Sequence, residues 1–276
     1  MENCQQAFFI ANETLKSTCE FIPSHFDSDD FVYEVIRVIE GIPLFLDDHL
    51  ERLLLSCQRS GILASIELAA LKSQMKVLIE VNKVANGNIK IMVADKNSLH
   101  PYWIALWFIA AYYPTGDDYR EGVKVALLNW KREAPQSKIH RPAYKQAVAE
   151  AMKQKQVYEL LLVHQEVITE GSRSNVFFIR EDQLVTSPKE LILEGVTRKK
   201  VVELCATNHL KLVEKALEVN QLPFIEAAFL TGTSPKVLPI AHISDYPPFQ
   251  TQHPLLETIM KLYEKQLQRD LADFSW

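Results

Sequence analysis

Glu170 closes the run Glu-Leu-Leu-Leu-Val-His-Gln-Glu-Val-Ile-Thr-Glu (159–170) and is followed at once by Gly-Ser-Arg-Ser-Asn (171–175). An acid delivered by an apolar run into small residues and amides is either a turn residue or a buried anion that needs a partner. Two later segments also have the makings of a binding site. In Leu-Glu-Gly-Val-Thr-Arg-Lys-Lys (193–200), Gly195, Val196 and Thr197 open a helical pattern. Free N–H groups and the positive end of a helix dipole favour an anion there, although a simple Thr-capped helix start fits the same residues. In Leu-Thr-Gly-Thr-Ser-Pro-Lys (230–236), Thr233 and Ser234 offer hydroxyls from a second loop. Between 131 and 155 lie five amines, Lys131, Lys138, Lys145, Lys153 and Lys155, and the local pattern alone reads each of them as a solvated surface lysine. The chain has only 8 glycines, and three of them, Gly171, Gly195 and Gly232, fall in these segments. Such positions need close backbone approach or positive φ.

The elements that must position these residues follow from periodicity. Residues 31–39, Phe-Val-Tyr-Glu-Val-Ile-Arg-Val-Ile, read as a strand ending in a turn at Glu40-Gly41, with Ile42–Leu46 returning as a hairpin partner. Asp47 is expected to cap a helix whose apolar face is Leu50, Leu53, Leu54 and Cys57, closed by Gly61. Arg52 lies on the polar side of that helix and by pattern alone is solvated. A second helix is expected around 66–81, and strands at about 88–94 and 103–112. Tyr113-Pro-Thr-Gly-Asp-Asp is the best linker candidate. It divides a small N-terminal α/β domain, 1–113, from a larger C-terminal one, 119–276, with the linker at about 114–118. The second half is expected to hold strands at 122–129, 158–164, 174–180, 183–186 and 227–231. Its helices are expected at 143–156, 196–208 and 254–270, the last burying Leu256, Ile259, Tyr263 and Leu267.

Composition excludes several classes of function. A net charge of −5 gives no electrostatic footprint for nucleic acid. No apolar run approaches the ~20 residues of a membrane helix, and the apolar patch at Phe8–Ile10 lacks the basic flank of a signal peptide. Cys4, Cys19, Cys57 and Cys205 show no metal-ligand spacing and read as reduced cytoplasmic thiols. His49, His140 and His164 have no spacing that suggests a metal or a triad.

Together the three motifs resemble the class IV aminotransferases, fold-type IV pyridoxal-phosphate enzymes that include the branched-chain and D-amino-acid aminotransferases and aminodeoxychorismate lyase. The resemblance spans roughly 31–62 and 120–240. It implies an α/β (α+β) two-domain fold with pyridoxal 5′-phosphate in the cleft between the domains. This cofactor needs a lysine amine for a Schiff base, a carboxylate against the pyridine nitrogen, a phosphate cradle and a group near its phenolic oxygen. Glu170 takes the carboxylate role by resemblance. In the family register the lysine falls on Lys138, 32 residues before Glu170, whereas Lys145 is only 25 away. Tyr33 matches the residue that faces the substrate from the small domain. Arg52, in His-Leu-Glu-Arg-Leu, matches the phosphate arginine, joined by Gly195, Val196, Thr197, Thr233 and Ser234. Ser172, Ser174, Asn175 and Leu193 complete the implied cofactor set.

Three features depart from the family pattern. Phe26–Phe31 lacks the usual glycines. Tyr144 stands one place late for the phenolic contact, leaving Arg141 as the other candidate. The Arg-x-His carboxylate trap of the D-amino-acid enzymes is replaced by Asp-Lys-Asn-Ser-Leu-His (95–100), so that Lys90 and His100 are the cations left for a substrate carboxylate. The expectation is a cytoplasmic homodimeric aminotransferase acting on a small amino acid and a 2-oxo acid, with no nucleic acid and no metal. The alternatives are a lyase that releases pyruvate, disfavoured by Glu34 and Val35 where that relative carries threonines, and a cofactor-binding protein without transaminase activity.

Overall fold

The computed structural model describes residues 3–26, 31–62, 66–94 and 103–276. Two compact units emerge. The first comprises Met1–Tyr112, Ser137–Pro142 and Leu267–Trp276, and the second Tyr113–Gln136 and Ala143–Gln266.

The first unit is built on a six-stranded sheet. Its strands are β1 (Phe8–Ala11), β2 (Thr14–Ser17), β3 (Phe31–Ile39), β4 (Ile42–Pro43), β5 (Gly87–Ala94) and β6 (Trp103–Ile109), in the order β2-β1-β6-β5-β3-β4. Helices α1 (Leu46–Arg59) and α2 (Leu68–Asn82) belong to the same unit. Side-chain alternation along β3 divides its residues between two cores. Val32, Ile36 and Val38 join Leu50, Leu53 and Cys57 of α1, and Leu71, Met75 and Leu78 of α2. Phe31 and Tyr33 join Met92 and Trp107 on the opposite face. Glu34, in register with the first set, is a wholly buried acid in an apolar face.

Two expectations here need correction. Helix α1 begins one residue before Asp47, and its cap is Phe45, a residue with φ 50° and no side-chain hydrogen bond. Asp47 and Asp48 instead occupy the first turn, where acids favour the dipole. The Phe45 N–H is taken by Asp270 Oδ2 at 2.7 Å, a partner far along the chain that local pattern could not reveal. The hairpin return is also shorter than expected, with only Ile42 and Pro43 paired to β3.

The second unit carries a nine-stranded mixed sheet, ordered β12-β11-β10-β14-β15-β7-β8-β9-β13. Its strands are β7 (Val123–Asn129), β8 (Glu159–His164), β9 (Val167–Gly171), β10 (Asn175–Arg180), β11 (Gln183–Thr186), β12 (Leu212–Glu214), β13 (Leu217–Glu218), β14 (Ala227–Gly232) and β15 (Lys236–Ile243). Its helices are α3 (Gly116–Glu121), α4 (Pro142–Lys155), α5 (Val196–Thr207) and the greater part of α6 (Pro254–Asp273), whose residues from Leu267 on belong to the first unit. The segment read as a linker contains a helix start, with Thr115 and Asp118 forming a capping box on α3. Leu256, Ile259, Tyr263 and Leu267 of α6 are all buried, as their spacing predicts. Among the described residues no helix is long and apolar enough to cross a membrane.

Candidate active site

In the first unit, Lys138 is spliced onto the sheet. Its carbonyl accepts from the Tyr33 N–H at 2.9 Å, and the His140 N–H donates to Phe31 O at 2.7 Å. The result is an antiparallel bridge between Val32 and Ile139 on the edge of β3. The Lys138 N–H donates to Ser56 Oγ of α1 at 3.2 Å. The backbone is thereby held on three sides while the side chain, 14% exposed, carries its amine to 3.8 Å from Glu34 Oε1 and 5.2 Å from the centre of the Tyr33 ring. The other lysines between 131 and 155 are exposed, Lys145 among them.

Glu34 collects more than one cation. Arg52 grips it through Nε (2.8 Å) and Nη2 (2.6 Å), and His49 Nδ1 lies 3.2 Å from the same carboxylate. Arg52 is therefore not the solvated residue that its helical position suggests; its side chain is 11% exposed. Burial pushes the Glu34 carboxyl up, but Arg52, Lys138 and the His49 contact outweigh it and hold the group well below the usual carboxylate range. Burial also lowers His49 from its ordinary value, against the opposing pull of Glu34, so that near neutral pH the imidazole is an uncharged hydrogen-bond partner. On the opposite face of β3, Lys90 of β5 is buried, with its amine 4.8 Å from the Tyr33 ring centre and 5.7 Å from that of Trp107.

In the second unit, Glu170 lies within β9, not in a turn. The turn comes earlier, at Gln165 and Glu166, both with positive φ (50° and 61°). Strand β9 returns the chain so that Glu170 is 1% exposed. One oxygen meets Arg132 Nη1 at 3.1 Å and the other accepts from the Leu193 N–H at 3.1 Å. This is the buried anion with a partner, and the partner is an arginine that local pattern did not single out.

The residues around Glu170 form a second polar cluster. Ser172 and Ser174 both donate to Glu159, a buried acid at the start of β8, the latter at 3.1 Å. Their hydroxyls are thus engaged within the protein. Asn175 donates to Leu193 O at 2.9 Å and accepts from the Gly195 N–H at 3.2 Å, pinning the approach to α5. Gly171 and Gly195 are required for close approach, since an added Cβ would run into Ser174 and Asn175 respectively. Neither has positive φ. Tyr144 donates its hydroxyl to Ser172 O at 3.0 Å.

Two places in the second unit could offer donors to a phosphate group. Gly195 is the N-cap of the twelve-residue helix α5 and no side chain caps it, while Val196 and Thr197 behind it are buried. An uncapped helix start presents donors and a dipole to an anion. At the end of β14 the buried Thr231 hydroxyl has no hydrogen-bond partner among the described residues, and the half-buried Thr233 and Ser234 follow it in the turn. His100 and the rest of 95–102 lie outside the described residues, as do 27–30.

Comparison with known proteins gives this arrangement a family. Residues 31–243 match the family described as amino-transferase class IV. The chain belongs to the class IV aminotransferases. The D-alanine aminotransferase of Bacillus licheniformis is 34% identical over 227 residues, covering 78% of this chain and 79% of that protein. A probable branched-chain-amino-acid aminotransferase of Rickettsia bellii is 27% identical over 218 residues, 75% of each chain. The fold matches the branched-chain amino acid aminotransferase of Escherichia coli with a TM-score of 0.84, at 16% identity, over 95% of both chains. Class IV aminotransferases are pyridoxal-phosphate enzymes, and this one is an aminotransferase of that fold. Sequence reasoning missed Glu34 as a hub, Arg132 and Glu159. The only signal for Arg132 was its place in the polar loop, and Glu34 was weighed only as a substitute for threonine.

Proposed function

We propose that this class IV aminotransferase moves the amino group of a small D-amino acid, D-alanine in the first instance, to a 2-oxo acid. In this reading Lys138 is the cofactor lysine and Glu170 the partner of the pyridine nitrogen. The observation that carries it is the state of Glu170, an acid 1% exposed and held between Arg132 and the Leu193 N–H. A carboxylate gripped by a guanidinium on one oxygen and a backbone N–H on the other is fixed in place. The D-amino-acid assignment rests on the 34% identity to the D-alanine aminotransferase.

When bound, the cofactor supplies an electron sink for charge developing at the substrate Cα. The protein supplies the rest. Glu170 would keep a proton on the ring nitrogen. The uncapped start of α5 at Gly195-Val196-Thr197 would take the phosphate, with Thr231, Thr233 and Ser234 as further donors; the family resemblance adds Arg52. The Lys138 amine would hold the cofactor and then carry the proton to and from the substrate Cα. Tyr33 would line the substrate side, with the Lys90 amine beside its ring as a counter-charge for the substrate carboxylate. The reading further takes the enzyme as a cytoplasmic homodimer. Buried, free Cys4, Cys57 and Cys205 support a reducing compartment, and the dimer is carried over from the family resemblance.

Purified protein loaded with pyridoxal phosphate tests the proposal. The visible band of lysine-held cofactor is expected in wild type and absent in Lys138→Ala. Discharge of that band by D-alanine, with pyruvate formed only as amino group is passed on, supports transamination. A band that survives in Lys138→Ala overturns the lysine assignment. Pyruvate release from aminodeoxychorismate without an amino acceptor makes the enzyme a lyase. A band that no D- or L-amino acid discharges makes it a cofactor-binding protein.

A further inference from the structure

We propose that Glu34 is a positioning residue that sets the charge state of the Lys138 amine and aims the Arg52 guanidinium. The proposal rests on Lys138 as the cofactor lysine. It starts from an anomaly of patterning. Alternation along β3 places Glu34 with Val32, Ile36 and Val38, all wholly buried against α1 and α2. Core packing alone asks for an aliphatic residue there, because an ion removed from water is costly unless closely paired. A structural pair would need a single cation. Glu34 instead faces three basic groups from two separate segments, Arg52 and His49 from α1 and Lys138 from the bridge at 137–142. Lys90, over Tyr33, lies on the other face of the strand.

The contacts differ in kind, and the difference suggests what each does. Arg52 gives Nε and Nη2 to Glu34 in a side-on grip. Such a grip fixes the plane of the guanidinium. The Val35 N–H donates to Glu34 Oε1 at 2.8 Å, which holds the carboxylate itself in place. His49 sits close to the same oxygen at 3.2 Å. Lys138, at 3.8 Å, lies beyond hydrogen-bond length. At this separation it feels the Glu34 charge through space. A negative charge at this separation favours a proton on Lys138 and on any nitrogen the lysine forms with a carbonyl.

The test uses cofactor-loaded full-length protein and follows the pH midpoint of the visible band, together with pyridoxal phosphate affinity, in wild type, Glu34→Gln and Glu34→Asp. Glu34→Gln is expected to lower the midpoint by about one unit or more, the scale on which a close opposite charge moves a pKa. It is also expected to weaken cofactor binding by about tenfold through the loss of Arg52 alignment. Glu34→Asp keeps the charge but withdraws it, so its midpoint should fall between the two. Circular dichroism establishes that each variant is folded. If Glu34→Gln does not fold, Glu34→Asp carries the test alone. A folded variant of either kind with the wild-type midpoint overturns the proposal and leaves Glu34 a structural ion. A wild-type band that persists in Lys138→Ala overturns the lysine assignment, and this proposal with it.

Discussion

Replacing Arg132 by Met asks how much of the second unit's stability depends on a counter-ion for Glu170. The two side chains are 2% and 16% exposed, with Nη1 and Oε1 3.1 Å apart. At an effective dielectric near 20, unit charges about 4 Å apart attract by ~4 kcal/mol. Most of that offsets the cost of taking both ions out of water, so the net worth of the pair is small. Leaving the acid buried without its counter-charge is the larger effect, ~3–5 kcal/mol for a pair broken on one side. The surviving Leu193 N–H contact (3.1 Å) and the partial exposure of Arg132 reduce this. The expected loss for Arg132→Met is therefore about 2–4 kcal/mol. Glu170→Gln keeps an acceptor for Leu193 and removes the charge, and should cost only ~1–2 kcal/mol. The double variant contains no stranded acid, so it should be more stable than the sum of the singles implies, by at least ~1.5 kcal/mol. Urea denaturation of the four proteins without cofactor, followed by circular dichroism, measures the cycle. Additive costs, or an Arg132→Met protein as stable as wild type, would refute the view of Glu170 as a charge-paired anion.

Further expectations concern other parts of the molecule. Gly195→Ala places a Cβ against Asn175, and should weaken pyridoxal phosphate binding by about tenfold or more, measured by absorbance titration. The overall circular dichroism spectrum should be unchanged. Stability should fall with acid in two stages. His49 is lowered from its ordinary 6.5 in the folded state, so below about pH 6.5 the unfolded chain gains a proton that the fold refuses. Glu34 is held well below 4.5, so its contribution is complete above that pH and is lost as pH falls through the folded value. His49→Gln should flatten the upper stage of a Tm-against-pH curve and leave the lower one. Burial pushes the Cys57 and Cys205 thiols up to about 11, and Cys4 is also buried while Cys19 is exposed. A thiol reagent at pH 8 should therefore titrate one cysteine quickly in the native protein and all four in urea.

Much of the second unit's candidate site could be proposed from the sequence because its signals are local. Glu170, Gly195, Asn175 and Leu193 lie in two short segments whose glycines and amides have few other uses. What escaped the sequence was contact across distance. Arg132 meets Glu170 across 38 positions, and Glu34 meets Arg52 across 18. Neither separation has a periodicity to reveal it. Strand β9 was missed for a different reason: its hairpin turn, Gln165-Glu166, puts two ordinary residues at positive φ, where Gly or Asn would normally signal a turn. The serines flanking Arg173 illustrate a third limit. Ser172 and Ser174 read as ligands, but a buried Glu159 takes both hydroxyls, and nothing about Glu159 in the sequence distinguishes it from a surface acid.

The bridge between Val32 and Ile139 also changes what an insertion or deletion near the lysine would do. Lys138 takes its address from β3 and Ser56, not from the loop that leads to it or the helix that follows. Length changes within 133–136 fall outside the contacts that hold the Lys138 backbone and spare the Arg132 pair with Glu170. One residue added between Lys138 and His140 would break the pairing with Phe31 and Tyr33 and turn the side chain away. Counting back from Glu170 finds this lysine, but what keeps it in place is a stitch in another sheet.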